Sequence, residues 1–85
     1  MEYKITFHPA ALRALKKLPL KVVHQMNPHL VDLSKDPRPP GCKKLKGNSG
    51  FWRVRVGDYR IVYQIDDGQL IILVIAIGHR KDIYQ

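Results

Sequence analysis

Cations crowd one stretch of this sequence. Between Arg38 and Arg60 stand Arg38, Lys43, Lys44, Lys46, Arg53, Arg55 and Arg60 against a single acid, Asp58, so the stretch holds six of the eight net positive charges. Arg53 and Arg55 alternate with Trp52, Val54 and Val56. On a strand, that alternation sets the two arginines on one face, ~7 Å apart. Cations stacked in this way repel, and water, an acidic partner or phosphates must offset the repulsion. Guanidinium forks match phosphate oxygens in bidentate pairs. A solvated polar face also fits alternating arginines. Clustering with the lysine-rich segment Lys43, Lys44, Lys46 brings the two readings nearer even, and the net charge points to a polyanionic partner such as nucleic acid, an anionic membrane or an acidic protein.

Other chemistries lack their residues. His8, His24, His29 and His79 are scattered, and His24 and His29, five apart, do not share a helical face. Cys42 is the sole cysteine, which excludes an internal disulfide and a zinc-type spacing. A glycine-rich phosphate loop is missing, and no Ser-His-Asp arrangement can be argued. The expectation is no metal and no cofactor. Trp52, Tyr59 and Tyr63 could stack on bases, but their alternation with arginine favours core packing.

Eighty-five residues allow one domain, expected over 1–85, with one modest core. The longest apolar run, Leu70 to Ile77, has eight residues, far short of the ~20 of a membrane-crossing helix. The start, Met-Glu-Tyr-Lys, lacks the apolar region of a signal peptide. A cytoplasmic protein with no membrane partner is expected.

The elements that must carry the cations follow from periodicity. Tyr3–Phe7 alternates as a short strand. Pro9 opens a helix with Ala11, Leu12, Leu15 and Leu18 on one face, and Pro19 ends it. A second helix runs roughly Leu20 to Ser34 around Val22, Val23, Met26, Leu30 and Leu33. Pro28 should kink or split it. Lys35–Gly50, rich in proline, reads as a loop. Phe51–Val56, a Gly57-Asp58 turn, Tyr59–Ile65, an Asp67-Gly68 turn and Leu70–Ile77 make a hairpin-linked meander. Its last strand reads as central and buried on both faces. The fold class is α+β: a strand, a two-helix hairpin, then an antiparallel three-stranded meander. The helices would cover one face of a four-stranded sheet and leave the other to a ligand.

Five segments carry a family resemblance: Lys44-Leu45-Lys46-Gly47, Trp52 to Val56, Asp58-Tyr59-Arg60-Ile61-Val62-Tyr63, Ile75 to Arg80, and Ile83-Tyr84. They resemble the RelE/ParE superfamily of bacterial and archaeal toxins over nearly the whole chain. The RelE branch, the resemblance implies, enters the ribosomal A site and cuts messenger RNA. The ParE branch poisons DNA gyrase without catalysis. Both are silenced by an antitoxin, here expected to lay an acidic or amphipathic segment along the basic face. Carried over by position, Arg53 and Arg55 stand where RelE enzymes have two basic residues, commonly lysines. Arg60 stands for the arginine that stabilises the transition state. Arg80 matches the arginine that ends the last strand, and Tyr84 the C-terminal tyrosine that stacks on a base or assists the attacking hydroxyl. The sequence ends one residue after Tyr84, so the additional C-terminal helix of some relatives is not expected.

RNA can be cut without metal by attack of a 2′-OH on the adjacent phosphate, leaving a cyclic phosphate and a 5′-OH. Arg60 and Arg80 suit charge stabilisation, and Arg53, Arg55, Lys43, Lys44 and Lys46 suit RNA binding. Guanidinium keeps its proton, so Arg53 and Arg55 cannot serve as proton carriers as lysines could. His79 is the natural candidate for that task, with Tyr84 second. The bland alternative for His79 is a strand-end residue that only donates a hydrogen bond. A ribosome-dependent endoribonuclease is therefore the leading reading. A non-catalytic gyrase poison comes second, and an inactive domain that only binds its antitoxin third.

Overall fold

The computed structural model describes residues 2–47 and 50–79. β1 (Lys4–Phe7) is followed by α1 (Pro9–Lys17), α2 (Leu20–Lys35), β2 (Lys43–Lys44), β3 (Phe51–Val56), β4 (Tyr59–Asp66) and β5 (Ile71–His79). The strands form one sheet in the order β1-β5-β4-β3-β2. β3, β4 and β5 are the expected antiparallel meander, and β1 joins β5 in parallel. The α+β class holds, but the sheet has five strands rather than four. The extra one lies within the expected loop, where Lys43 and Lys44 pair with Arg53 and Trp52. Two residues are too few to leave a period in the sequence.

Both helices pack on one face. The His8 imidazole caps α1 by accepting from the Ala10 amide at 3.1 Å, with Pro9 in the first turn. Ala11 of α1 and Met26 and Leu33 of α2 are buried against Val54, Ile61, Ile72 and Val74. The expected split at Pro28 does not occur, and α2 runs through it as one helix. Proline in a helix interior costs ~3 kcal/mol. Met26 and Leu33, both fully buried on either side of it, each contribute ~1.5–3 kcal/mol, enough to hold the element together.

Two further expectations are corrected. β5 is buried on one face only: Ile72, Val74 and Ile77 are in the core, while Ile71, Leu73 and Ile75 are half-buried because, among the described residues, no layer covers their side. The link from β4 to β5 spans 67–70 rather than two residues. Its last residue, Leu70, takes φ +58°, and the Asp66 carboxylate accepts from the Gln69 amide and side chain, each at 3.0 Å. The Gly57-Asp58 turn is a true two-residue link, with φ +62° at Gly57 alone, the pattern of a type II′ turn.

The Pro-rich segment is tied down by polar contacts. The fully buried Tyr63 donates its hydroxyl to the Pro37 carbonyl at 2.8 Å. Arg38 stacks over Trp52, 5.1 Å from the ring centre. It also forks onto Asp67 at 3.1 and 3.4 Å, and Asp67 takes the Tyr3 hydroxyl at 2.6 Å. Arg38 thus leaves the basic cluster and acts as a staple between loop, sheet and turn.

Candidate functional site

Register decides which side chains share the uncovered face. Arg55 of β3 pairs with Arg60 of β4, and Arg60 with Gly78 of β5. One row along, Lys43 pairs with Arg53, Arg53 with Val62, and Val62 with Ala76. Side chains in register point to one side, so Lys43, Arg53, Arg55 and Arg60 form a contiguous cationic patch. Directly opposed side chains in a sheet have Cβ atoms ~5 Å apart, and like charges there are destabilising. Gly78 places no side chain beside Arg60. Val62, 6% exposed, forms an apolar floor between the cations. Arg53 buries its Nε without a hydrogen-bond partner, while Arg55 stays exposed. The nearest acid of β4, Asp66, is six residues from Arg60, ~20 Å along the strand.

The other expected RNA-binding residues divide. Lys44 pairs with Trp52 and so belongs to the opposite face, and Lys46 follows in the loop; both are exposed. Trp52 and Tyr59 pack against the core and Tyr63 lies inside it, as their alternation with arginine indicates.

His79 is turned away from the arginines. It pairs with Tyr59, and their rings meet edge-on, 5.4 Å apart at 78°. Tyr59 pairs with Val56, a core residue, so His79 faces the helix layer. A β-bulge is the cause. Val62 pairs with Ala76 but Tyr63 with Val74, leaving Ile75 as an extra residue. One extra residue inverts the alternation of everything after it. Without it, His79 would join Arg60. Arg80 and Tyr84 lie outside the described residues.

A cleft of about 530 Å³ opens along the edge of β3 beyond the short β2. Lys43, Arg53, Val54 and Arg55 line it together with Pro39, Pro40 and Gly41. His29 and Asp32 of α2 line it too. These two were invisible in the sequence, because helical period alone does not say which polar residues of α2 overhang a sheet edge. Among the described residues, no three His, Cys, Asp or Glu side chains gather as a metal site, and no helix is long and apolar enough to cross a membrane.

Guanidinium and ammonium groups of Lys43, Arg53 and Arg55 thus share one edge cleft. Known proteins share the fold that carries it. The family model described as the ParE toxin of the type II toxin-antitoxin system parDE matches residues 5–84.

The chain belongs to the RelE/ParE toxin family.

Among its relatives, toxin RelG of Mycobacterium tuberculosis is 33% identical over 100% of this chain and 99% of its own length. The messenger RNA interferase toxin RelE of Escherichia coli K12 is 31% identical over 95% of this chain and 86% of its own. In solved structures, the toxin-antitoxin complex RelBE2 of M. tuberculosis matches with TM-score 0.80 and 30% identity, covering 94% of this chain and all of that one. The archaeal RelE-RelB complex of Pyrococcus horikoshii matches with TM-score 0.82 and 25% identity, over 98% and 100%. These RelE/ParE family toxins share the fold along essentially the whole chain.

Proposed function

We propose that this toxin is a cytoplasmic endoribonuclease that enters the ribosomal A site and cuts the messenger RNA exposed there. The observation that carries this is the contiguous patch of Lys43, Arg53, Arg55 and Arg60 on the uncovered sheet face. The relative in E. coli is named a messenger RNA interferase, which supports the same substrate.

The chemistry needs alignment, charge stabilisation and proton transfer, and no metal. Arg53, Arg55 and Lys43 bind the phosphates that flank the scissile bond. Arg60, opposite Arg55 and beside Gly78, offsets the charge that builds on the phosphorus oxygens. Arg80, carried over from the family resemblance, adds to the charge stabilisation, and Tyr84 stacks on a base or assists the 2′-OH. An unliganded face of this charge invites an acidic cover. A cognate antitoxin whose acidic or amphipathic segment lies on the arginines would silence the toxin by occupying the RNA site. RelE-type relatives form complexes with RelB antitoxins, in keeping with such a partner.

A second reading has one observation in its favour: the matching family model is described for ParE toxins. On that reading the patch grips gyrase and nothing is cut. Mapping RNA ends in a purified translation reaction, beside a gyrase supercoiling assay, separates the two. Fragments with cyclic-phosphate ends that need ribosomes support the nuclease. Intact RNA with blocked supercoiling supports the poison.

A further inference from the structure

RNA cleavage by the proposed route needs a group that accepts the proton of the attacking 2′-OH. Arginines at 53, 55 and 60 keep their protons. The His79 ring packs edge-on against Tyr59 on the helix side of the sheet. Another histidine shares a cavity with the cations. His29, half-buried on α2, lines the edge cleft together with Lys43, Arg53 and Arg55. It reaches this position because β2 pairs only as far as Lys43. Beyond that point the edge of β3 is open, so side chains of the helix layer and of the uncovered face meet around it.

We propose that His29 is the proton acceptor of the RNA-cleavage site and that the scissile phosphate sits where the edge cleft borders Arg55, the cross-strand neighbour of Arg60. This rests on the nuclease reading above. The 2′-oxygen forms a bond to the adjacent phosphorus while its proton passes to the neutral imidazole. The bond from phosphorus to the 5′-oxygen breaks, and that oxygen takes a proton from water. The products are a 2′,3′-cyclic phosphate and a 5′-OH, with the oxidation state of phosphorus unchanged. Histidine suits the role because it exchanges a proton near neutral pH.

The charged groups that share the cleft with the ring are Asp32, one turn further along α2, Lys43 of β2, and Arg53 and Arg55 of β3. Lys43 also carries transferable protons, and its variant serves as the control.

The test is the single-turnover cleavage rate of the full chain on programmed ribosomes, followed against pH. His29→Gln should slow cleavage on the order of a hundred-fold and abolish the rise in rate through neutral pH. Added imidazole should restore part of the rate of His29→Ala. Lys43→Met should slow the reaction but keep that rise. His29→Gln at the wild-type rate overturns the assignment while leaving the nuclease reading intact. A slow His29→Gln with an unchanged pH profile, and no rescue by imidazole, also overturns it and makes His29 structural. A wild-type chain that never cuts RNA overturns both proposals. One measurement needs no variant. A 2′-O-methyl RNA, which cannot be cut, should shift the ring resonances of His29 and not those of the exposed His24. Unmoved His29 signals count against the proposal.

Discussion

Arg55 of β3 stands directly opposite Arg60 of β4, each two residues from the two-residue turn at Gly57-Asp58. Like charges directly opposed across two strands disfavour folding, and the pair gives the uncovered face its cationic character.

Replacing one member should therefore move stability and RNA binding in opposite directions. Arg55→Gln removes a like-charge cross-strand contact and should stabilise the fold by ~0.2–1 kcal/mol. It also removes a phosphate contact. The slope of log affinity for single-stranded RNA against log salt should become shallower by about 0.7. Urea unfolding and a salt titration of binding measure the two effects. A destabilised variant with an unchanged slope would mean that Arg55 is structural.

Tyr84→Ala should reduce ribosome-dependent cleavage by at least about ten-fold, the scale of losing a base-stacking contact worth ~1–3 kcal/mol. Its melting temperature should stay near that of the wild type. A variant that cuts at full rate would remove Tyr84 from the site.

Tyr63 tests the scaffold separately from the chemistry. Its hydroxyl is buried and reaches the Pro37 carbonyl. Burial pushes the phenol well above its ordinary range, with the neighbouring Cys42 adding to the shift. Tyr63→Phe should cost about 1 kcal/mol and leave the cleavage rate unchanged. Because the folded phenol titrates above the unfolded one, its contribution is complete below the unfolded value and is lost only as alkaline pH rises through the folded one. Denaturant unfolding of the two proteins from neutral to strongly alkaline pH follows that loss. A constant difference throughout would contradict it.

Asp67 gives the complementary acid dependence. The hydrogen bond from Arg38, then that from Tyr3, holds its carboxyl below the usual carboxylate range. A depressed carboxyl stabilises the fold above its unfolded value and loses that contribution as pH falls through the folded one. Asp67→Asn should be less stable than the wild type at neutral pH, and the two should converge in strong acid. Unfolding curves that stay equally far apart at all pH values would break the link to Asp67 ionisation.

The path from sequence to site was direct where local chemistry decides and blocked where tertiary pairing does. Arg53 and Arg55 follow from strict alternation with Val54 and Val56, and Gly57 announces the turn that opposes Arg55 to Arg60. The five segments of family resemblance led to the same toxin fold. Lys43-Lys44 could not be read as a strand, since its only reason to be one is the exposed edge of β3. The Ile75 bulge leaves no mark in an unbroken run of apolar residues, yet it turns His79 to the other face. His29 looked isolated because the cations that share its cleft are fourteen and more residues away and come from the sheet edge. Pro28 pointed to a kink or a split because its cost is local; the split does not occur, since the burial of Met26 and Leu33 that offsets the cost is not local.

The central claim is that the opposed arginines form an RNA-cutting site. Its most direct measurement is the rate and end chemistry of messenger RNA cleavage by Arg60→Ala on programmed ribosomes, beside the wild type. The wild type should yield cyclic-phosphate and 5′-OH ends. The folded variant should yield the same ends at least about a hundred-fold more slowly, the scale of losing one donor to a developing anion. Cleavage by Arg60→Ala at the wild-type rate, with the same ends, would contradict the account.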